Sequence, residues 1–182
     1  GRELAQLLRG AAEGGGVERF AAGGEIGRSG GLLATGRAVH ACSVGISAVG
    51  SRFVRDALAR RGTLAGMTRV LGIDPGLQIT GYGVVDMPPG AIEPRLVEAG
   101  VIRMPASHAL SDRLVQLHTE LSEILAEHRP NRVAVEQIYS HYAHPRTAVL
   151  MAHARGVILL AARTTGVEVV DLPSTEVKKA MT

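Results

Sequence analysis

Two carboxylates stand at positions where they could hold a metal ion together. Asp74 follows the largely apolar segment 69–73, and Glu136 follows the apolar segment 133–135. An unpaired charge is costly beside such residues, and two like charges held close repel unless a shared proton or a cation neutralises them. Oxygen-only ligands favour Mg²⁺ or Mn²⁺ over zinc. The pair indicates a divalent-metal site, with the alternative that Asp74 only begins a turn and Glu136 only caps a strand end.

The pattern around Asp74 predicts an antiparallel meander. Asp74-Pro75-Gly76 is a turn signature, and a second loop carries Pro88, Pro89 and Gly90. The three predicted strands are 69–73, 79–85 and 96–103.

After the three strands of the meander, the predicted elements alternate between helices and strands. Apolar residues at 3.6-residue spacing predict a helix over 111–128 that Pro130 ends. The later elements are predicted at 133–136 (strand), 147–163 (helix), 167–172 (strand) and from Ser174 to the last residue, Thr182 (helix). The order βββαβαβα predicts an α/β sheet whose strands after the first helix are parallel. Asp74 and Glu136 would then meet at one sheet edge.

Residues 1–66 differ in composition from the rest. They hold 15 of the 23 glycines and 9 Arg against 5 acidic residues, whereas residues 67–182 carry a net charge of −1. Glycine disfavours helices, so only Glu3–Leu8 and Arg52–Arg60 are predicted as short helices. We expect a poorly ordered extension or translated sequence upstream of a start at Met67, with a basic DNA-binding arm or an Arg-rich targeting peptide as the alternatives.

Composition limits the function classes. The hydrophobic fraction of 46% suits a packed core, and no apolar run approaches the length of about 18–20 residues that a membrane span needs. The single cysteine, Cys42, excludes an internal disulfide framework and fits a reducing, cytoplasmic location. Aromatic residues make up 3% of the chain, which argues against a broad base-stacking platform.

An ordered set of motifs resembles the RuvC family of Holliday-junction resolvases. The motifs are Val70-Leu71-Gly72-Ile73-Asp74-Pro75-Gly76, Thr80-Gly81-Tyr82-Gly83-Val84, Val135-Glu136-Gln137-Ile138-Tyr139 and Ala154-Arg155-Gly156-Val157. Each motif is weak alone, but their order and spacing over residues 67–182 are specific. The resemblance implies a ribonuclease-H-like fold with a mixed five-stranded sheet flanked by helices.

The resemblance also implies an activity. The family comprises metal-dependent endonucleases, a class of hydrolase, which resolve four-way DNA junctions by symmetric paired nicks during recombination and repair. They act as homodimers, with two Mg²⁺ ions per subunit and four acidic or metal-binding residues. Asp74 and Glu136 match two of these catalytic metal ligands. Branch-migration proteins of the RuvA and RuvB type are further expected partners.

The family's remaining two ligands lie in an Asp-rich block on a final helix, which has no counterpart in these 182 residues. Two metal ions about 4 Å apart hold the scissile phosphate in such mechanisms. Two carboxylates suit one weakly held, hydrated Mg²⁺. We therefore expect this polypeptide, truncated at its C-terminus relative to the family, to be inactive by itself.

Three further residues are candidate DNA contacts. Tyr139 resembles the aromatic residue that stacks on bases at the crossover, Arg146 suits a phosphate contact, and Lys178 matches a lysine facing the scissile backbone. The alternatives are a tyrosine covering the sheet edge, an ordinary polar loop and a solvated helix face. The helix predicted over 147–163 corresponds to the family's dimer helix, with simple packing on the sheet as its alternative.

Other functions fit parts of the pattern. A non-catalytic nucleic-acid-binding fragment of the same fold and another ribonuclease-H-like nuclease both suit the Asp74–Glu136 pair. A strand ending in Gly-Ile-Asp-x-Gly also opens actin-like ATPases and sugar kinases, where a hydroxyl residue commonly follows the glycine. Leu77 stands there instead, which argues against that class.

Overall fold

The computed structural model describes residues 16–21, 66–91, 94–138 and 145–173, which form one six-stranded sheet with two helices. The strands are β1 (Gly16–Ala21), β2 (Thr68–Asp74), β3 (Ile79–Met87), β4 (Arg95–Arg103), β5 (Arg132–Glu136) and β6 (Glu168–Leu172). The helices are α1 (Leu110–His128) and α2 (Pro145–Thr164). Neither of these two helices is long and apolar enough to cross a membrane.

The sheet has the order β1-β4-β3-β2-β5-β6. β2, β3 and β4 form the expected antiparallel meander. β5 and β6 continue the sheet on the other side of β2, parallel to it and to each other. A helix precedes each of these two strands and returns the chain along the sheet, as parallel pairing requires. The predicted mixed α/β sheet is confirmed.

The sheet has a sixth strand that the sequence did not predict. β1 lies antiparallel along β4, from Gly16 opposite Arg103 to Ala21 opposite Glu98. β1 includes a glycine-free run at 17–21 within the glycine-rich region. An edge strand such as β4 presents unpaired backbone N–H and C=O groups to any segment that can extend beside it. The predicted helices at 3–8, at 52–60 and from Ser174 onward lie outside the described residues.

Helices α1 and α2 cover one face of the sheet and build the main core. Leu117, Leu121 and Ile124 are completely buried on α1, at the helical spacing seen in the sequence. Truncating such a leucine to alanine costs about 2–5 kcal/mol. The opposite face carries a smaller cluster of buried residues, namely Val70, Val85, Met87, Ala134 and Leu172.

The end of α1 determines where β5 begins. Arg129 adopts a left-handed conformation with φ of 45°, and its N–H donates to the carbonyl of Leu125. This geometry is a common helix stop. Just before β5, the Asn131 N–H donates to the carbonyl of Arg69 at 2.8 Å. β5 is thereby placed in register beside β2, which determines the position of Glu136 relative to Asp74.

Candidate metal site at the carboxyl ends of the central strands

Asp74 and Glu136 meet at the sheet edge. The parallel register places Ile73 opposite Val135. Asp74 and Glu136, which directly follow them, therefore stand side by side. The side-chain carboxyl groups of Asp74 and Glu136 lie within hydrogen-bonding reach of each other. Asp74 is exposed and Glu136 is half-buried. The register partner of Asp74 on β3 is Gly81, which leaves that flank of the carboxyl group without a side chain.

The electrostatics of the pair favour a bound cation. Burial raises the pKa of the Asp74 carboxyl, and the hydrogen bond to Glu136 lowers it by less. Asp74 still opens to solvent, so the neighbouring protein desolvates the group without closing it off. Two carboxylates in contact keep a proton or take a cation between them. Two oxygen donors beside open solvent fit Mg²⁺, which commonly retains several waters and uses one or two carboxylates.

The turn after Asp74 is held by its own backbone and by α1. The Thr80 hydroxyl donates to the carbonyl of Gly76 at 2.6 Å and accepts from the Gly76 N–H at 3.3 Å. The buried Arg113 donates through Nη2 to the carbonyl of Leu77 at 2.6 Å. A Cβ atom at Gly76 would lie 2.1 Å from the Ile79 carbonyl oxygen. Glycine is therefore required at this point by the close approach of the two backbone segments.

Arg155 of α2 supports the other half of the site. Its Nε atom donates to the backbone carbonyl of Glu136 at 3.4 Å, and its guanidinium pairs with the carboxylate of Asp171 on β6. Asp171 is the register partner of Val135, so its side chain belongs to the face opposite Glu136. The arginine thus links the ends of β5 and β6.

The three predicted DNA contacts have different outcomes. Arg146 lies exposed in the first turn of α2. Tyr139 and Lys178 lie outside the described residues, and their roles stay predictions.

A second group of polar residues lies near the C-terminal end of α1, and sequence reasoning gave it no role. It consists of Tyr82, Glu98, Glu127 and His128, with Arg19 of β1 beside them. These residues come from four separate elements. No local spacing marks them, so the sequence carries no signal that could have found them.

Residues 70–182 match the family model described as "Crossover junction endodeoxyribonuclease RuvC". A relative with that name from Rhodopirellula baltica is 51% identical over 115 residues, covering 62% of each chain. Another from Halorhodospira halophila is 42% identical, covering 63% of this chain and 66% of that one. This chain thus spans less than two thirds of either relative.

Solved structures give the same match. The structure titled "T. thermophilus RuvC in complex with Holliday junction substrate" superposes with a TM-score of 0.55 at 29% identity, covering 62% of this chain and 68% of that one. The structure titled "Thermus thermophilus RuvC structure" gives a TM-score of 0.53 at 33% identity, covering 58% of this chain and 64% of that one.

Proposed function

This chain belongs to the RuvC family of crossover junction endodeoxyribonucleases, and we propose that it is the metal-binding core of an endonuclease that resolves four-way DNA junctions. The observation that carries the proposal is the contact between the carboxyl groups of Asp74 and Glu136 at the carboxyl ends of β2 and β5. Ligands in open α/β sheets bind at this edge. A nuclease needs its phosphate-handling carboxylates where a DNA backbone can reach them, and Asp74 is exposed there.

Asp74 and Glu136 are the proposed Mg²⁺ ligands, with Mn²⁺ as a substitute. When bound, such an ion supplies Lewis-acid chemistry at a phosphodiester. The chain's own contribution is positional. Thr80 and Arg113 hold the turn after Asp74, and Arg155 holds the backbone of Glu136. The two carboxyl groups therefore face the DNA from a rigid frame, which limits the reorganisation required when the phosphate arrives.

DNA binding by this core must rely on local positive charge, because residues 67–182 carry a net charge of −1. Arg146, exposed at the start of α2, is a proposed phosphate contact. Tyr139 and Lys178 are proposed to stack on bases and to face the scissile backbone, respectively. Each phosphate contact would make binding more sensitive to salt.

A homodimer through α2 is part of the proposal. Val149 and Leu160 are 57% and 62% exposed on this helix, and Gly156 between them is exposed as well. Their spacing places them along one side of the helix. Two copies related by a two-fold axis would place their carboxylate pairs symmetrically, as paired nicks on a four-way junction require. RuvA- and RuvB-type partners and a cytoplasmic location stay predictions.

The experiment is metal and junction binding by the full 182-residue chain. Mn²⁺ binding measured by calorimetry should be lost in Asp74→Asn and Glu136→Gln and retained in Glu123→Gln, an exposed glutamate of α1. A synthetic four-way junction should bind more tightly than a duplex of the same sequence. Mn²⁺ affinity that is undiminished in both site variants would contradict the proposed metal site. Junction binding without any metal binding would favour the non-catalytic alternative.

Nicking is measured on the same junction with Mg²⁺ or Mn²⁺. We expect no paired nicks from the 182 residues by themselves, because they supply two of the four ligands that the family uses. Robust paired nicking would show that expectation to be wrong.

A further inference from the structure

Three side chains near the C-terminal end of α1 place potential metal-ligating atoms together, separate from the Asp74–Glu136 pair. They are Glu98 of β4 and Glu127 and His128 of α1, and one ligand atom of each lies within 4.8 Å of the others. Glu98 and His128 are each 8% exposed, whereas Glu127 is exposed. Among the described residues, only this trio comes together in such a group of three or more.

The imidazole of His128 points to a missing ligand. Its Nε2 atom is buried and has no hydrogen-bond partner in the described part of the chain. It lies 3.4 Å from Oε1 of Glu98, a close contact that lacks hydrogen-bond geometry. Buried polar atoms in folded proteins are almost always hydrogen-bonded or coordinated. The spacing suits coordination, because two ligand atoms about 2.1 Å from a tetrahedral ion stand about 3.4 Å apart.

Glu98 is already oriented as a ligand would be. The Tyr82 hydroxyl donates to Oε1 of Glu98 at 2.7 Å within the buried core. Burial and the neighbouring Glu98 raise the pKa of Tyr82, which keeps this hydroxyl protonated as a donor. Metal ligands typically have such hydrogen-bond partners behind them.

The exposed Glu127 connects this group with solvent. A cavity of about 600 Å³ opens beside the end of α1, and Glu127 and His128 are among the residues that line it. An ion held by Glu127 could complete its coordination with water.

Arg19 of β1 supplies a positive charge beside Glu127. Its guanidinium forms an ion pair with Glu127, which lowers the pKa of that carboxylate. A cation bound by Glu98, His128 and Glu127 would compete with Arg19 for the carboxylate of Glu127. Metal binding by this group would therefore depend on whether Arg19 of β1 is paired with Glu127.

We propose that Glu98, Glu127 and His128 form a site for one divalent transition-metal ion of the Zn²⁺ or Co²⁺ type, which competes with Arg19 for Glu127. One imidazole nitrogen and two carboxylates select such ions over Mg²⁺. This distinguishes the site from the oxygen-only pair at Asp74 and Glu136. The proposal is independent of the nuclease function.

The test uses the full chain carrying Asp74→Asn and Glu136→Gln, so that the other proposed site is removed. Zn²⁺ alone is titrated by calorimetry, and Co²⁺ alone is followed by its visible absorption, which reports tetrahedral coordination. One ion should bind per chain. Glu127→Gln should abolish binding, and Tyr82→Phe should weaken it about tenfold through loss of the orienting hydrogen bond. Arg19→Ala should tighten it by removing the competing cation.

Two controls separate the site from other histidines and from misfolding. His118→Gln, an exposed histidine of the same helix, should leave affinity unchanged, whereas His128→Gln should abolish it. Glu127 is exposed, so Glu127→Gln decides the question even if the buried His128 variant fails to fold. The proposal is overturned if the background chain binds neither ion, or if Glu127→Gln binds both with undiminished affinity.

Discussion

At the scale of single residues, one carboxyl group away from the sheet edge is also desolvated, that of Glu120. Glu120 on α1 is half-buried, and its Oε2 atom is buried without a hydrogen-bond partner in the described part of the chain. Its Oε1 atom accepts from Nε2 of Gln116 at 2.8 Å. Burial raises the pKa of Glu120, the bond from Gln116 lowers it, and repulsion from Glu123 raises it.

Glu120→Gln should therefore stabilise the protein at neutral pH. A carboxyl group whose folded pKa is raised contributes stability that is present below its unfolded pKa and lost as pH rises through the folded value. Removing the charge should raise the free energy of unfolding at pH 7 by roughly 0.5–1 kcal/mol, after a discount for solvent screening. The gain should vanish below about pH 4. Urea denaturation at several pH values measures it.

Glu123→Gln is a control for this prediction, in which a smaller effect is expected. Glu123 acts on Glu120 only through charge repulsion, so its removal should give a smaller gain of the same sign. A Glu120→Gln variant whose stability matches the parent chain at pH 7 would show that water already solvates this carboxylate.

At the scale of elements, the turn between β2 and β3 holds Asp74 in place. The Ile79 carbonyl occupies the space that a side chain at Gly76 would need. At Gly72, two residues before Asp74, the nearest atom to an added Cβ is the Gly83 carbonyl oxygen at 3.9 Å, an ordinary contact.

Gly76→Ala should destabilise the protein by about 1–3 kcal/mol, as overpacking of a closely fitted region does, and should weaken Mn²⁺ binding by displacing Asp74. Gly72→Ala is the matched control and should change metal affinity little. Thermal unfolding and calorimetry measure the two effects. Equal metal affinities in the two variants would contradict the proposed role of the turn.

Arg155 joins α2 to the end of β5. Arg155→Ala should reduce Mn²⁺ affinity at the Asp74–Glu136 pair by about tenfold, because residues that position ligands typically contribute 10–100-fold. Arg155→Lys should retain part of the Mn²⁺ affinity that Arg155→Ala loses. A lysine can bond to Asp171 or to the Glu136 carbonyl, but it cannot bond to both at once as the guanidinium does. If all three chains bind Mn²⁺ equally, Arg155 only packs α2 against the sheet.

At the scale of the whole molecule, the proposed dimer depends on one side of α2. Leu160→Glu places a charge on that face and should shift the chain from dimer to monomer, because burying an unpaired charge is costly. Val115→Glu is the control, since Val115 is 65% exposed and belongs to the other helix, α1. Sedimentation velocity reports the mass. A parent chain that sediments as a monomer at all concentrations would contradict the dimer proposal.

The sequence predicted most of the core and its proposed Mg²⁺ pair. Five strands and two helices lie within one or two residues of the expected bounds, because alternating and 3.6-residue apolar patterns directly reflect burial on one face. Asp74 and Glu136 meet because each ends a strand, and the carboxyl ends of adjacent parallel strands share an edge. Turn residues and strand order were enough to derive that contact.

Only the tertiary structure revealed β1 and the polar group at the end of α1. β1 pairs with β4 across about 80 residues of chain, and no local pattern shows which edge a short segment will join. Glu98 and His128 are polar residues of a type usually found at the surface, yet both are buried. Their burial depends on partners from other elements, and such partners become neighbours only when the sheet and α1 have packed together.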